Sequence, residues 1–244
     1  MRIKVINPNT TASMTAKIAA AARAIALPST EIIAASGTTG PASIEGNYDE
    51  AVATVGLLEE VRRGEAQGCD GYVIACFGDP GLLAAREIAS GPVLGIAEAA
   101  FHAASMVATG FSVVTTLGRS TVICEHLLHR YGFERICRRV RATDLPVLEL
   151  ENPRSDSRRI ITEECRRALA EDRAGAIVLG CAGMADLARD LSDELGVPVI
   201  DGVAVAVTMV EGLVRLGLKT AKNFDLAYPI TGKSWTGRLA DMAP

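Results

Sequence analysis

Four short apolar runs, Ile3 to Ile6, Tyr72 to Ala75, Phe111 to Val114 and Ala176 to Leu179, punctuate the chain, and the longer stretches between them repeat their apolar positions with helical period. The runs are apolar nearly throughout, so both faces of each strand must be covered, as in a parallel sheet between helical layers. Strand and helix alternate, and the predicted fold class is α/β. Helices are predicted from Thr10 or Thr11 to Ala26, stopped by Leu27-Pro28, from Tyr48 to Gln67 ahead of Gly68, and from Ala97 to Ala108 ahead of Gly110. Further helices are predicted from a Ser120 cap to Tyr131, from Ser155 or Asp156 to Glu171, and from Val203 to Arg215. Arg135 to Arg141 interleaves arginine with apolar residues and reads as a connection or a solvated edge.

The pattern is written twice. The first half runs Ile3-Lys-Val-Ile-Asn7, then Tyr72-Val-Ile-Ala-Cys76-Phe-Gly-Asp79, then Gly91-Pro-Val-Leu94; the second runs Phe111-Ser-Val-Val-Thr-Thr116, then Ile177-Val-Leu-Gly-Cys181-Ala-Gly183, then Gly196-Val-Pro-Val-Ile200. A cysteine precedes a proline by 16 residues in one half (Cys76, Pro92) and by 17 in the other (Cys181, Pro198). Two copies of one α/β unit, about one hundred residues apart, explain this recurrence. The predicted organisation is two pseudosymmetric parallel-sheet α/β domains with an active site in the cleft between them. The first comprises residues 1–98 plus 206–244, because the last long helix is expected to cross back and close it; the second comprises 99–205.

Composition narrows the class. Over 244 residues, 49% hydrophobic content is ample for such cores, and a net charge of -4 without any basic run offers nothing to a nucleic acid. The opening residues lack a signal-peptide core, and no uncharged run reaches the roughly 18 residues of a membrane span. A cytoplasmic protein without a membrane or nucleic-acid partner is expected. In that compartment the six cysteines would be reduced thiols.

Cys76 and Cys181 each follow a buried strand and precede a glycine-containing turn towards a helix, where ligands of open α/β sheets bind. Facing one another across a cleft, two thiols suit the inversion of a stereocentre beside a carbonyl. A single base returns the proton to the face it came from, whereas a thiolate and a thiol on opposite faces exchange roles. A helix N-terminus and backbone amides are expected to lower both thiol pKa values. Amides of the Phe77-Gly78-Asp79 and Ala182-Gly183 turns are candidate donors to an enolate.

These segments, together with Ile6-Asn-Pro-Asn-Thr10, Pro41-Ala-Ser-Ile-Glu-Gly46 and Leu195-Gly-Val-Pro-Val-Ile-Asp201, resemble the hydantoin racemases of the Asp/Glu racemase superfamily, a group that includes allantoin racemases. The resemblance spans residues from about 3 to 230. It implies racemisation of 5-substituted hydantoins without cofactor or metal, Cys76 and Cys181 as the catalytic pair, and a homo-oligomer. It further implies a substrate pocket lined by Asn9, Ser43, Ile44, Gly46, Phe77, Gly78, Thr115, Thr116, Ala182 and Gly183. Thr231 to Pro244 has no counterpart in it and reads as a disordered extension.

Blander readings stand beside these. Cys69, Cys124, Cys137 and Cys165 read as packing or surface thiols, and Cys124, His126 and His129 lack a fourth ligand for zinc. Gly180-Cys-Ala-Gly183 is not a dinucleotide fingerprint. Asp79 and Asp201 read as turn or cap residues. The enzymatic alternatives are an allantoin racemase, or another isomerase or a decarboxylase of the same superfamily. The non-enzymatic alternative is a thiol redox sensor or a small-molecule binding module.

Overall fold

The computed structural model describes residues 1–242. Strands β1 (Arg2–Asn7), β2 (Glu31–Ser36), β3 (Gly71–Ile74) and β4 (Val93–Gly95) form one sheet in the order β2-β1-β3-β4. Strands β5 (Phe111–Thr115), β6 (Cys137–Ala142), β7 (Ala176–Leu179) and β8 (Val199–Ile200) form a second in the order β6-β5-β7-β8. Every pairing is parallel. The two sheets share one topology, so the sequence repeat is a repeat of architecture. The helices are α1 (Ala12–Ile25), α2 (Asn47–Ala66), α3 (Leu82–Ile88), α4 (Ile96–Val107), α5 (Gly118–Tyr131), α6 (Ser157–Glu171), α7 (Ala188–Leu195) and α8 (Gly202–Arg215). None is long and apolar enough to cross a membrane.

The apolar runs became the inner strands β1, β3, β5 and β7, buried on both faces. Lys4 interrupts the first run and is nonetheless buried, because its ammonium meets Glu60 at 2.9 Å. The arginine-rich stretch is more than a connection: it forms edge strand β6. Its last arginine, Arg141, is buried against Asp172 (2.6 Å) and Glu164 (3.0 Å), since a guanidinium survives desolvation only when its charge is paired.

Helix ends follow the expected positions within a residue or two, except that α5 starts earlier than Ser120. Leu117 precedes its first turn, and the Gly118 amide donates to Oδ1 of Asp144 at 3.0 Å, so the carboxylate comes from the far loop. Thr11 does precede α1, but its hydroxyl donates to the Ala42 carbonyl at 2.6 Å and ties down the neighbouring loop. Oδ1 of Asn9 accepts the Thr11 amide in its place at 3.0 Å.

Helix α8 leaves the second sheet and packs on α1, α4 and β3 of the first through Val203, Ala206, Val207 and Val210. Helix α4 runs the other way and touches β7. One apolar cluster therefore joins Ile3, Val5 and Val73 of the first sheet to Phe111, Val113 and Val178 of the second. Thr231 to Met242, read as a disordered extension, contains a short 3-10 turn (Gly237–Met242) beside α2, where Arg62 donates to the Asp241 carbonyl. Ala243 and Pro244 lie outside the described residues.

Candidate active site

In a 2-1-3-4 parallel sheet the crossover direction reverses between the two central strands, which leaves a crevice beyond their carboxyl ends. The chain has two such crevices, and they open into one cavity. Asn9 follows β1 and Cys76 follows β3; Thr115 ends β5, with Thr116 next, and Cys181 lies two residues beyond β7. The cavity has about 600 Å³ of empty space when the solvent in its open mouth is included.

Ten of the twelve residues expected at the site line this cavity: Cys76, Cys181, Asn9, Ile44, Gly46, Phe77, Gly78, Thr115, Thr116 and Ala182. Ser43 and Gly183 do not. Gly183 lies one layer behind, where its amide donates to Sγ of Cys181, as the Gly78 amide does to Sγ of Cys76. Phe77 reaches the cavity but is anchored in the core, its ring edge-on to Phe101 at 5.6 Å.

The loop carrying Ile44 to Gly46 is pinned over the cavity from both sides. The Thr10 amide donates to the Pro41 carbonyl at 3.0 Å, and Oε1 of Glu45 accepts the Val147 amide of the second half at 2.9 Å. Gly56 of α2 permits the close approach, because a methyl group there would strike the Thr39 carbonyl.

The settings of the thiols differ from the expectation in two ways. Cys181 directly precedes a 3-10 turn (Ala182–Leu187), but Cys76 is separated from α3 by a five-residue turn, so no helix N-terminus acts on it. Nor are the thiols acidified in the free protein. Burial pushes Cys181 up to about 11, against the Gly183 amide and the Lys17 ammonium; burial also raises Cys76, opposed by the Gly78 amide and reinforced by Glu50.

Sequence reasoning missed several contributors. Glu50, in the first turn of α2, looks like an ordinary N-terminal acid, yet it lines the cavity against Gly78, and burial lifts its carboxyl to about 7. Lys17 of α1 reaches across to the second half, where Nζ donates to the Leu150 carbonyl (2.8 Å) and the Gly183 carbonyl (3.4 Å) and pairs with Glu151 (3.0 Å). Cys124, expected only to pack, is buried but also lines the cavity, with Met14, Ile123 and Val147. No local motif marks these residues, because four different elements bring them in: α1, α2, α5 and a 3-10 turn (Val147–Glu151).

Asp79 and Asp201 are caps, as expected, and they expose a substitution between the halves. Asp201 precedes α8 and accepts the Val203 and Ala204 amides at 2.9 and 3.0 Å. The equivalent position before α4 is Gly95, which has no side chain to offer. Asp79, from the Cys76 turn, puts its carboxylate into that space and accepts the Ala97 (3.0 Å) and Glu98 (2.9 Å) amides and the Tyr131 hydroxyl (2.9 Å). The cap of α4 thus holds the Cys76 turn in place.

A family model described as Asp/Glu/Hydantoin racemase matches residues 3–210. The chain belongs to this racemase family. It is 53% identical to a hydantoin racemase of Rhizobium meliloti over 229 residues, 94% of this chain and 95% of that one. A structure described as allantoin racemase from Klebsiella pneumoniae is 59% identical and superposes with a TM-score of 0.98 over 100% of this chain and 99% of that one. A glutamate racemase of Francisella tularensis, at 18% identity and a TM-score of 0.64 over 91% of this chain and 84% of that one, shares the fold. The protein is accordingly an isomerase of the racemase type.

Proposed function

We propose that this racemase inverts the ring carbon of 5-substituted hydantoins, with Cys76 and Cys181 as the two opposed acid–base groups and no cofactor. The observation that carries the reading is the single cavity shared by the two thiols, each at the same point of its half and each met by the amide two residues on. In this reading residues 1–98 with 206–244, and residues 99–205, form the two walls.

The acidic hydrogen of a hydantoin lies beside a ring carbonyl, so removing it leaves a delocalised anion. One sulfur takes the proton from one face while the other delivers its own to the opposite face. Burial disfavours a thiolate in the free cavity, and the Gly78 and Gly183 amides partly offset that cost. Ile44, Phe77 and Val147 suit an uncharged ring and substituent.

Allantoin, a hydantoin with a ureido substituent, is the second reading. Similarity to the Klebsiella structure favours it, and Thr115, Thr116, Ser120 and Glu50 offer polar partners for a ureido group. We place the enzyme in the cytoplasm as a homo-oligomer; Met106 and Val107 of α4 and Leu216 beyond α8 leave apolar surface exposed for an interface.

The test offers each enantiomer of a 5-alkyl hydantoin and of allantoin in D2O, following optical rotation and deuterium at the ring carbon. Inversion with one solvent deuteron gained is expected, and the kcat/KM ratio between the two compounds decides the substrate. Cys76→Ala and Cys181→Ala should each reduce inversion by about 10²- to 10⁴-fold or more. Inversion persisting in either variant would overturn the pair.

A further inference from the structure

The two sulfurs occupy equivalent places in the repeat but have different charged neighbours: among the described residues a lysine stands near Cys181 and none near Cys76. Behind Cys181, Lys17 contacts the Gly183 carbonyl, and the amide of that same residue reaches the sulfur. Beside Cys76, the Glu50 carboxylate fills the space over Gly78, whose amide reaches that sulfur. Among the described residues no donor is seen on the Glu50 carboxylate, so its charge is not spent on a protein partner. The other charged groups facing Cys76 are Asp79, already bound by two amides and Tyr131, and the Cys181 sulfur itself. Those facing Cys181 are Glu151, paired with Lys17, and Glu45, bound to the Val147 amide.

We propose that Lys17 and Glu50 are positioning residues that set the order in which the two thiols of the substrate-free enzyme ionise: Cys181 gives up its proton before Cys76 does. The geometry makes the choice, with a cation one residue behind one sulfur and an unpartnered carboxylate beside the other. The inference rests on the two-thiol reading and assigns it a direction. The enantiomer whose C–H faces Cys181 meets the sulfur that ionises more readily, whereas its mirror image needs the costlier form in which Cys76 is the thiolate and Cys181 holds the proton.

Steady-state specificity cannot reveal this asymmetry. The two hands have equal free energy, so kcat/KM in the two directions must be equal at every pH, and the thiols themselves have to be titrated. The full-length, substrate-free enzyme is treated with limiting iodoacetamide across a pH series, and the rate at each cysteine is read by peptide mass spectrometry. The midpoint of each rate profile reports the ionisation of that thiol independently of its exposure.

The Cys181 midpoint should lie below that of Cys76 by about one pH unit or more. Glu50→Gln should lower the Cys76 midpoint and leave Cys181 nearly in place. Lys17→Met should raise the Cys181 midpoint, and Lys17→Arg should restore it. Coincident midpoints, the reverse order, or a Glu50→Gln variant in which Cys76 does not move would overturn the assignment. The two readings fail separately: inversion surviving in a Cys→Ala variant removes the pair, whereas an essential pair with coincident midpoints removes only the resting order.

Discussion

Glu50 shows how a single side chain acquires a role from its surroundings. A carboxyl on an exposed first turn stabilises a helix, but burial at the cavity wall lifts this one to about 7. A raised folded value means that the folded chain holds the proton more tightly than the unfolded chain does. Its contribution to stability is therefore complete below the ordinary carboxyl range and is lost as pH rises through about 7. Glu50→Gln should remove that loss, so the variant's urea midpoint, relative to wild type, should be higher at pH 8 than at pH 5. A difference that does not change with pH would show Glu50 to be solvated. Cys76 and Cys181 could be picked out from the sequence because chemistry and repeat coincide at them; Glu50 and Lys17 could not, since neither stands in a repeated motif.

At the scale of the element, the two halves solve one problem with different residues. Each needs an acceptor for the first amides of the helix that follows its last strand. Asp201 supplies it locally, whereas Gly95 leaves the place to Asp79 of the Cys76 turn. Asp201→Ala should cost about 0.5 to 2 kcal/mol, the ordinary value of a cap. Gly95→Ala should cost more, because the added methyl overlaps the Asp79 carboxylate and must push the Cys76 turn aside. It should also slow inversion far more than Asp201→Ala does, measured as kcat on folded protein, and equal kinetic effects would contradict this coupling. The strong apolar periods located the long helices, and the buried runs located the inner strands. Edge strand β2 escaped because its apolar run, Ile32 to Ala35, is short and has no counterpart in the second half; β6 was legible only as a connection or a solvated edge, since an edge strand tolerates Arg138 and Arg139.

For the molecule as a whole, one apolar cluster crosses between the sheets. Phe101 sits at its centre, touching Phe77 of the Cys76 turn and stacking on Phe111 of β5 at 5.8 Å. Phe101→Ala should destabilise the whole chain by about 3 to 5 kcal/mol. Far-ultraviolet and near-ultraviolet dichroism should still report one coincident unfolding transition. Two separated transitions would mean that the halves fold independently. By itself the sequence determined the α/β class, the duplication and the two thiols, because burial periodicity and a repeated motif are properties local to the chain. Only the tertiary structure decided that Lys17 stands behind one sulfur and Glu50 beside the other. Those contacts join residues far apart in the chain, where the field at a buried atom depends on distance in space and not on position in sequence.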